Sequence, residues 1–167
     1  FEKKVIDFKN EIEAGARDYY KEAQEEGLHF NKYEVFTDYA VQYNKNDILS
    51  ITMDLYAYTG GAHGMTTRVP YNIDLKTGEE ILLDDLFKKG VNYKEIINNE
   101  ISKQITADKD NFYFEGAFKG ISDKQHFYLK DGSLVIYFDL YEIAPYASGI
   151  PEFVIPFSLF NDGVNPK

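Results

Sequence analysis

Apolar residues return every three or four positions at the start of the chain. Phe1, Val5, Phe8, Ile12, Ala16, Tyr19 and Ala23 follow this rhythm, with Glu and Lys filling most places between. The spacing stacks the apolar side chains on one helical face and predicts an amphipathic helix over residues 1–26, ended by Gly27. From Val35 the period falls to two. Val35, Thr37, Tyr39, Val41 and Tyr43 alternate with Phe36, Asp38, Ala40 and Gln42, and the polar run 44–47 turns the chain. On the return, Leu49, Ile51, Met53, Leu55 and Ala57 share one side of a strand, and Ser50, Thr52, Asp54, Tyr56 and Tyr58 share the other. This is the pattern of a long antiparallel hairpin with one dry face. Val69, Tyr71, Ile73 and Leu75 continue the alternation after a glycine-rich loop.

The second half mixes both periods. Asp84 is placed to cap a short helix carrying Leu86 and Phe87. Asn92, three residues before Glu95, predicts a capping-box start for a second long helix whose apolar side is Tyr93, Ile96, Ile97, Ile101 and Ile105. A hairpin follows, with Phe127 to Leu129, a turn at Lys130-Asp131-Gly132, then Leu134, Ile136, Phe138 and Leu140. A last strand lies at residues 153–155. The expectation is an α+β fold of six to eight strands, with two long helices packed on one face of a curved, mostly antiparallel sheet. It is read as a single domain over residues 1–167, with the helix at 1–26 and the sheet, with its inserted second helix, over 27–167. The outer face, rich in Tyr, Thr and Asp, would be left for a partner.

Composition narrows the classes of function. The aromatic load of 14 Tyr and 13 Phe belongs to a folded domain, not to a disordered tail. A net charge of −10 disfavours nucleic acid and anionic membrane and favours a basic partner. No apolar run reaches the roughly 18 residues of a membrane span, so this segment is not expected to insert. The opening Phe1-Glu2-Lys3 reads as the middle of a longer protein, and an excised ectodomain is expected. The absence of cysteine removes thiolate chemistry and disulfides.

Candidate chemistry is sparse. His29, His63 and His126 stand at no metal-ligand spacing, and HExxH, GxSxG, GxxxxGK[ST] and GxGxxG patterns are absent. Asp84-Asp85 is an adjacent carboxylate pair, but neighbouring side chains diverge, so helix capping is the simpler reading. No enzyme activity, cofactor or metal is expected. The loops are more informative. Gly60-Gly61-Ala62-His63-Gly64 joins two strands with glycines that permit positive φ and close backbone approach. Residues 141–153 form a second loop, in which Tyr146 follows Pro145 and precedes Ala147 and Gly149. An aromatic on a stiffened loop suits recognition; a tyrosine tucked under a packed turn would use the same residues.

These loops carry a family likeness. The stretch YTGGAHGMTTRVPYNIDLKTGEE, then LDDLF, and later IYFDLYEIAPYASGIPEFVIP resembles the extracellular domain of RsiV-like anti-sigma factors. It also resembles the region ahead of the catalytic domain in PdaC-type peptidoglycan deacetylases. The resemblance implies an α+β domain displayed on the cell surface of a Gram-positive bacterium, in a membrane-anchored parent. In the RsiV-like receptors such a domain binds and inhibits lysozyme, and binding leads to proteolysis that frees a sigma factor. In the deacetylase context it implies an accessory domain near peptidoglycan; the HxxxH-type motif of the catalytic part is missing here. The binding residues so implied are Gly60, Gly61, Ala62 and His63 in the early loop and Pro145, Tyr146, Ala147 and Gly149 in the late one. In the lysozyme-receptor form a glycine separates the proline and tyrosine and GGAHG is lacking. Adjacent Pro145-Tyr146 and an intact GGAHG place this chain nearer the generic form of the module.

Overall fold

A computed structural model describes residues 1–165; Pro166 and Lys167, the end of the expected domain, lie outside the described residues. The order of elements is α1 (Glu2–Glu26), β1 (Glu34–Lys45), β2 (Ile48–Tyr58), β3 (Met65–Asp74), α2 (Tyr93–Ala107), β4 (Phe127–Lys130), β5 (Ser133–Tyr137) and β6 (Glu152–Pro156). Short 3-10 segments occur at Asp84–Leu86, Tyr146–Ser148 and Phe157–Gly163. The fold is α+β, as expected, but the strands form two three-stranded sheets, β1-β2-β3 and β4-β5-β6, where one sheet backed by both long helices was expected.

The chain also divides into two units, one of residues 1–39 and 53–69, the other of 40–52 and 70–167. In the first unit, α1 obeys its sequence rhythm. Val5, Phe8, Ile12, Ala16 and Tyr19 are half-buried and Ala23 is buried, while the remaining residues, Phe1 included, are exposed. Gly27 closes the helix in the left-handed conformation at φ 68°, and the Leu28 N–H returns to the Ala23 carbonyl at 2.8 Å. In the second unit, Ile97 and Ile101 of α2 join Leu134, Ile136, Phe153, Ile155 and Phe160 in a dry core. Each such side chain contributes about 1.5–3 kcal/mol when fully buried.

The hairpin turn forms at Asn46-Asp47, both at positive φ (52° and 59°), the geometry that matches strand twist. β4 and β5 pair antiparallel, Phe127 opposite Ile136, and β5 pairs antiparallel with β6, Leu134 opposite Ile155. As the centre of its sheet, β5 is buried along its whole length. Leu134 and Ile136 face the main core; Val135 and Tyr137 pack with Tyr128 and Ile150 on the other side. The expected tyrosine-rich outer face is therefore covered here: Tyr128 is 2% and Tyr137 0% exposed.

Three local expectations are corrected. In β2 the buried side changes partway. Ile48, Ser50 and Thr52 are buried in the first half, Met53 and Leu55 in the second, and Leu49 and Ile51 are only half-buried. The change falls where the strand passes from one unit to the other. Ser50 and Thr52 tolerate burial because both are hydrogen-bonded, Ser50 to Asn72 and Thr52 to Gln42. Asp84 does not cap its short helix. Leu83 stands at the cap, and it is the Asp85 carboxylate that accepts the Leu82 N–H, at 2.9 Å. The capping box at Asn92 does not close either: its side-chain amide donates to Glu95 at 2.5 Å, so neither group reaches the helix backbone.

Candidate functional site

The early loop is built by close approach. Gly60 has φ 88°, and its carbonyl accepts from the Asn31 side-chain amide at 3.0 Å. At Gly64 a Cβ would meet the Tyr56 ring at 2.3 Å, so only glycine lets that ring lie on the backbone. The His63 ring donates from Nδ1 to the Gly64 carbonyl at 2.9 Å, which fixes the proton on that nitrogen. Gly61, Ala62 and His63 are exposed. Behind the loop, Arg68 clamps Asp54 through two bonds of 2.7 Å, a half-buried pair that ties β3 to β2. No sequence pattern marked this pair.

In the late loop, the 3-10 turn Tyr146–Ser148 follows Pro145 in extended conformation. The Ser148 N–H returns to the Pro145 carbonyl at 2.9 Å, and the Gly149 N–H to that of Tyr146 at 3.0 Å. Gly149 takes φ 70°, ψ −152°, a region essentially restricted to glycine. Ala147 is exposed, whereas Pro145, Tyr146 and Gly149 are half-buried. Tyr146 is thus neither sealed inside nor fully presented. Its ring lies 5.9 Å from that of Tyr141, which is 47% exposed and sits at φ 68°.

A segment that sequence reasoning passed over completes this surface. The Ser148 hydroxyl donates to the Phe112 carbonyl at 3.2 Å, and the Phe114 N–H donates to the Ile143 carbonyl at 2.9 Å. These bonds lay residues 112–114 along the late loop. Phe112 is 66% exposed and Phe114 38%, unusual for phenylalanine. A depression of about 220 Å³ beside them is lined by Tyr113, Phe114, Phe118 and Ile143 among others.

Asp108 holds the segment in place. Its carboxylate accepts the Asn111 side chain at 2.8 Å, the backbone N–H groups of Asp110 and Asn111, and the Tyr113 hydroxyl at 3.0 Å. The Asn111 side-chain bond, followed by the two backbone bonds, lowers the Asp108 carboxyl to about 2. Burial, reinforced by Asp108, raises the Tyr113 hydroxyl to about 12. The signal available in the sequence was an Asp heading an Asx turn directly before three consecutive aromatics.

Reactive groups are not gathered here. Among the described residues no three His, Cys, Asp or Glu side chains are grouped so as to hold a metal. His126 and Asp139 stand 3.8 Å apart, too far for a hydrogen bond. Beside the late loop the Asp139 N–H donates to Glu142, closing a turn. What the surface offers is aromatic area on a braced backbone.

The family profile described as protein of unknown function (DUF3298) matches residues 84–158, and that described as deacetylase PdaC matches residues 1–66. Peptidoglycan-N-acetylmuramic acid deacetylase PdaC of Bacillus subtilis is 30% identical over 135 residues, 77% of this chain and 29% of that protein. Anti-sigma-V factor RsiV of the same organism is 32% identical over 131 residues, 73% of this chain and 45% of that protein. The chain therefore spans less than half the length of either relative. Two crystal structures share the fold. A DUF3298-family protein from Bacteroides fragilis superimposes with a TM-score of 0.73 at 24% identity, covering 93% of this chain and 64% of that one. Another from Pseudomonas aeruginosa gives 0.63 at 24% identity, covering 89% and 68%.

Proposed function

Because the chain carries a DUF3298 domain and has homologues in PdaC and RsiV, we propose that residues 1–167 act as a single non-catalytic binding module on the outer face of a bacterial cell, within a membrane-anchored parent. The partner in this reading is a basic protein of the lysozyme kind, which the module binds and inhibits. The observation that carries it is the aromatic surface made by Tyr141 and Tyr146, on a loop braced by Pro145 and Gly149, and by Phe112 and Phe114 on the segment hydrogen-bonded alongside it. Aromatic anchors that are already ordered lose little entropy on association and dominate binding energy. The surrounding charge supplies steering: 28 Asp and Glu against 18 Lys and Arg draw a cationic protein and repel acidic ones. The early loop, with Gly60, Gly61, Ala62 and His63, offers a further contact region of exposed backbone. Titration with hen egg-white lysozyme in a calorimeter tests the reading. Saturable one-to-one heat and slower cell-wall lysis are expected; no heat and no inhibition at micromolar protein remove it.

A second reading is an accessory cell-wall module. The paired rings of Tyr141 and Tyr146 are what favours it, since sugars stack on accessible aromatic faces. Retention on purified peptidoglycan, abolished by Tyr141→Ala, supports this reading over the first.

A further inference from the structure

Two three-stranded sheets present four edge strands, and three of these carry a device against further pairing. On β3, Pro70 interrupts the row of donors, and Ile73 bridges to Glu80. On β4, the Asn72 and Ser50 side chains take the Phe127 carbonyl and the Leu129 N–H. On β6, Gln104 donates to the Val154 carbonyl at 2.8 Å, and Pro156 ends the strand. Prolines and covering groups of this kind keep foreign strands from adding to a sheet.

The fourth edge strand, β1, has little such protection over residues 34–39, its part in the first unit. The stretch contains no proline or lysine, and every residue in it is exposed. Among the described residues, its one backbone group bonded outside a strand ladder is the Tyr39 N–H, which donates to the neighbouring Asp38 carboxylate at 2.8 Å. Its apolar side chains stand in solvent: Phe36 is 65%, Tyr39 64% and Val35 42% exposed. Tyr39 also meets the exposed Phe1 ring edge-to-face at 6.2 Å, which widens the apolar area. An open edge of about 20 Å with apolar side chains on it is a template for an incoming strand.

Charge selects the occupant. From residue 34 to residue 44 the only charged side chains are Glu34 and Asp38. Alternation along the strand puts both on the same face as Phe36. A second copy of the chain would bring the same two carboxylates and another net charge of −10. A cationic strand would instead set Lys or Arg opposite Glu34 and Asp38, and opposite charges stabilise cross-strand pairs.

We propose that residues 34–39 take up a basic, extended peptide segment as an added strand. The segment has the pattern basic–x–apolar–x–basic, with its apolar residue against Phe36 and its cations against Glu34 and Asp38. This surface is separate from the late loop, and either reading can fail without the other.

The test uses the full chain and fluorescently labelled peptides of sequence KTFVKT and ETFVET, read by anisotropy and by amide hydrogen exchange. Saturable binding, with slowed exchange at residues 34–39, is expected for the lysine peptide alone. Glu34→Lys combined with Asp38→Lys should invert the preference, weakening the lysine peptide by about tenfold and admitting the glutamate peptide. Phe36→Ala should weaken the lysine peptide severalfold, and Tyr141→Ala should leave it intact. The proposal is overturned by equal binding of the two peptides, by unchanged exchange at residues 34–39, by undiminished binding in the charge-reversed variant, or by loss of binding in Tyr141→Ala. Sedimentation that shows a dimer dispersed by the peptide would assign the edge to a second copy and overturn it as well.

Discussion

The Ser50 hydroxyl donates to the Asn72 side-chain oxygen at 2.6 Å, and both residues are buried, at 0% and 3% exposure. Two further bonds close the circuit. The Asn72 amide donates to the Phe127 carbonyl at 3.0 Å, and the Leu129 N–H donates to Ser50 Oγ at 2.9 Å. Phe127 and Leu129 lie two residues apart on β4, an edge strand, so two side chains satisfy backbone groups that a neighbouring strand would otherwise take.

Removing either partner strands buried polar groups. Ser50→Ala or Asn72→Ala should each destabilise the protein by about 1–3 kcal/mol in urea unfolding. The double variant should cost less than the sum, because the second deletion removes groups already orphaned by the first. Strict additivity would show that the two side chains do not act as one circuit.

Gly64 and Gly61 lie three residues apart and should respond oppositely to alanine. At Gly64 the new methyl enters the Tyr56 ring, and overpacking of that kind costs about 1–3 kcal/mol. Gly61 has no heavy atom nearer than the His63 carbonyl at 4.0 Å, so Gly61→Ala should be neutral or slightly stabilising. Adding Tyr56→Ala should lower the cost of Gly64→Ala. If it does not, the ring is not the obstacle.

The Asp108 circuit makes a pH prediction of definite sign. Its folded carboxyl lies at about 2, below the roughly 3.9 of an unfolded aspartate. Stability from this group is therefore fully present above pH 4–5 and is lost as pH falls from about 4 towards 2. Wild type should exceed Asp108→Asn in stability at pH 6, and the gap should narrow by pH 2.5. A constant gap would mean that the charge contributes nothing. Tyr113 runs the other way: with its hydroxyl at about 12, its stabilising share persists to pH 10 and fades above, which ultraviolet titration of Tyr113→Phe against wild type resolves.

Much of this fold was legible because local signals and burial agreed. The α1 rhythm picked the inward positions from Val5 to Ala23, and Gly27 and Gly132 took the left-handed conformations their places required. The failures share a cause. Ser50 and Thr52 read as an outer face because alternation assigns one dry side to a whole strand, whereas β2 contributes to two units and changes sides between them. Tyr128 and Tyr137 read as a surface because the cover on that side, Ile150, comes from a distant loop. At the candidate site, Pro145 and Gly149 advertised a stiff turn, but Phe112 and Phe114 reach it only through the Ser148 and Ile143 bonds, which no spacing encodes.

That assignment of the surface separates binding from stability. Phe112 and Tyr141 are exposed, so alanine at either should shift the melting temperature little. If they anchor a protein partner, each truncation should weaken association by about tenfold or more, as centrally placed aromatics do. Tyr128→Ala supplies the contrast, since it empties a buried position and should destabilise the fold by about 3–5 kcal/mol. Steering by the net charge of −10 adds a kinetic signature: the association rate with a basic partner should fall steeply as salt rises, while dissociation changes little. Stopped-flow mixing with lysozyme at 20 and 300 mM salt reads both rates. An aromatic variant that binds as tightly as wild type would move recognition away from the late loop, towards the exposed backbone of Gly61 and Ala62.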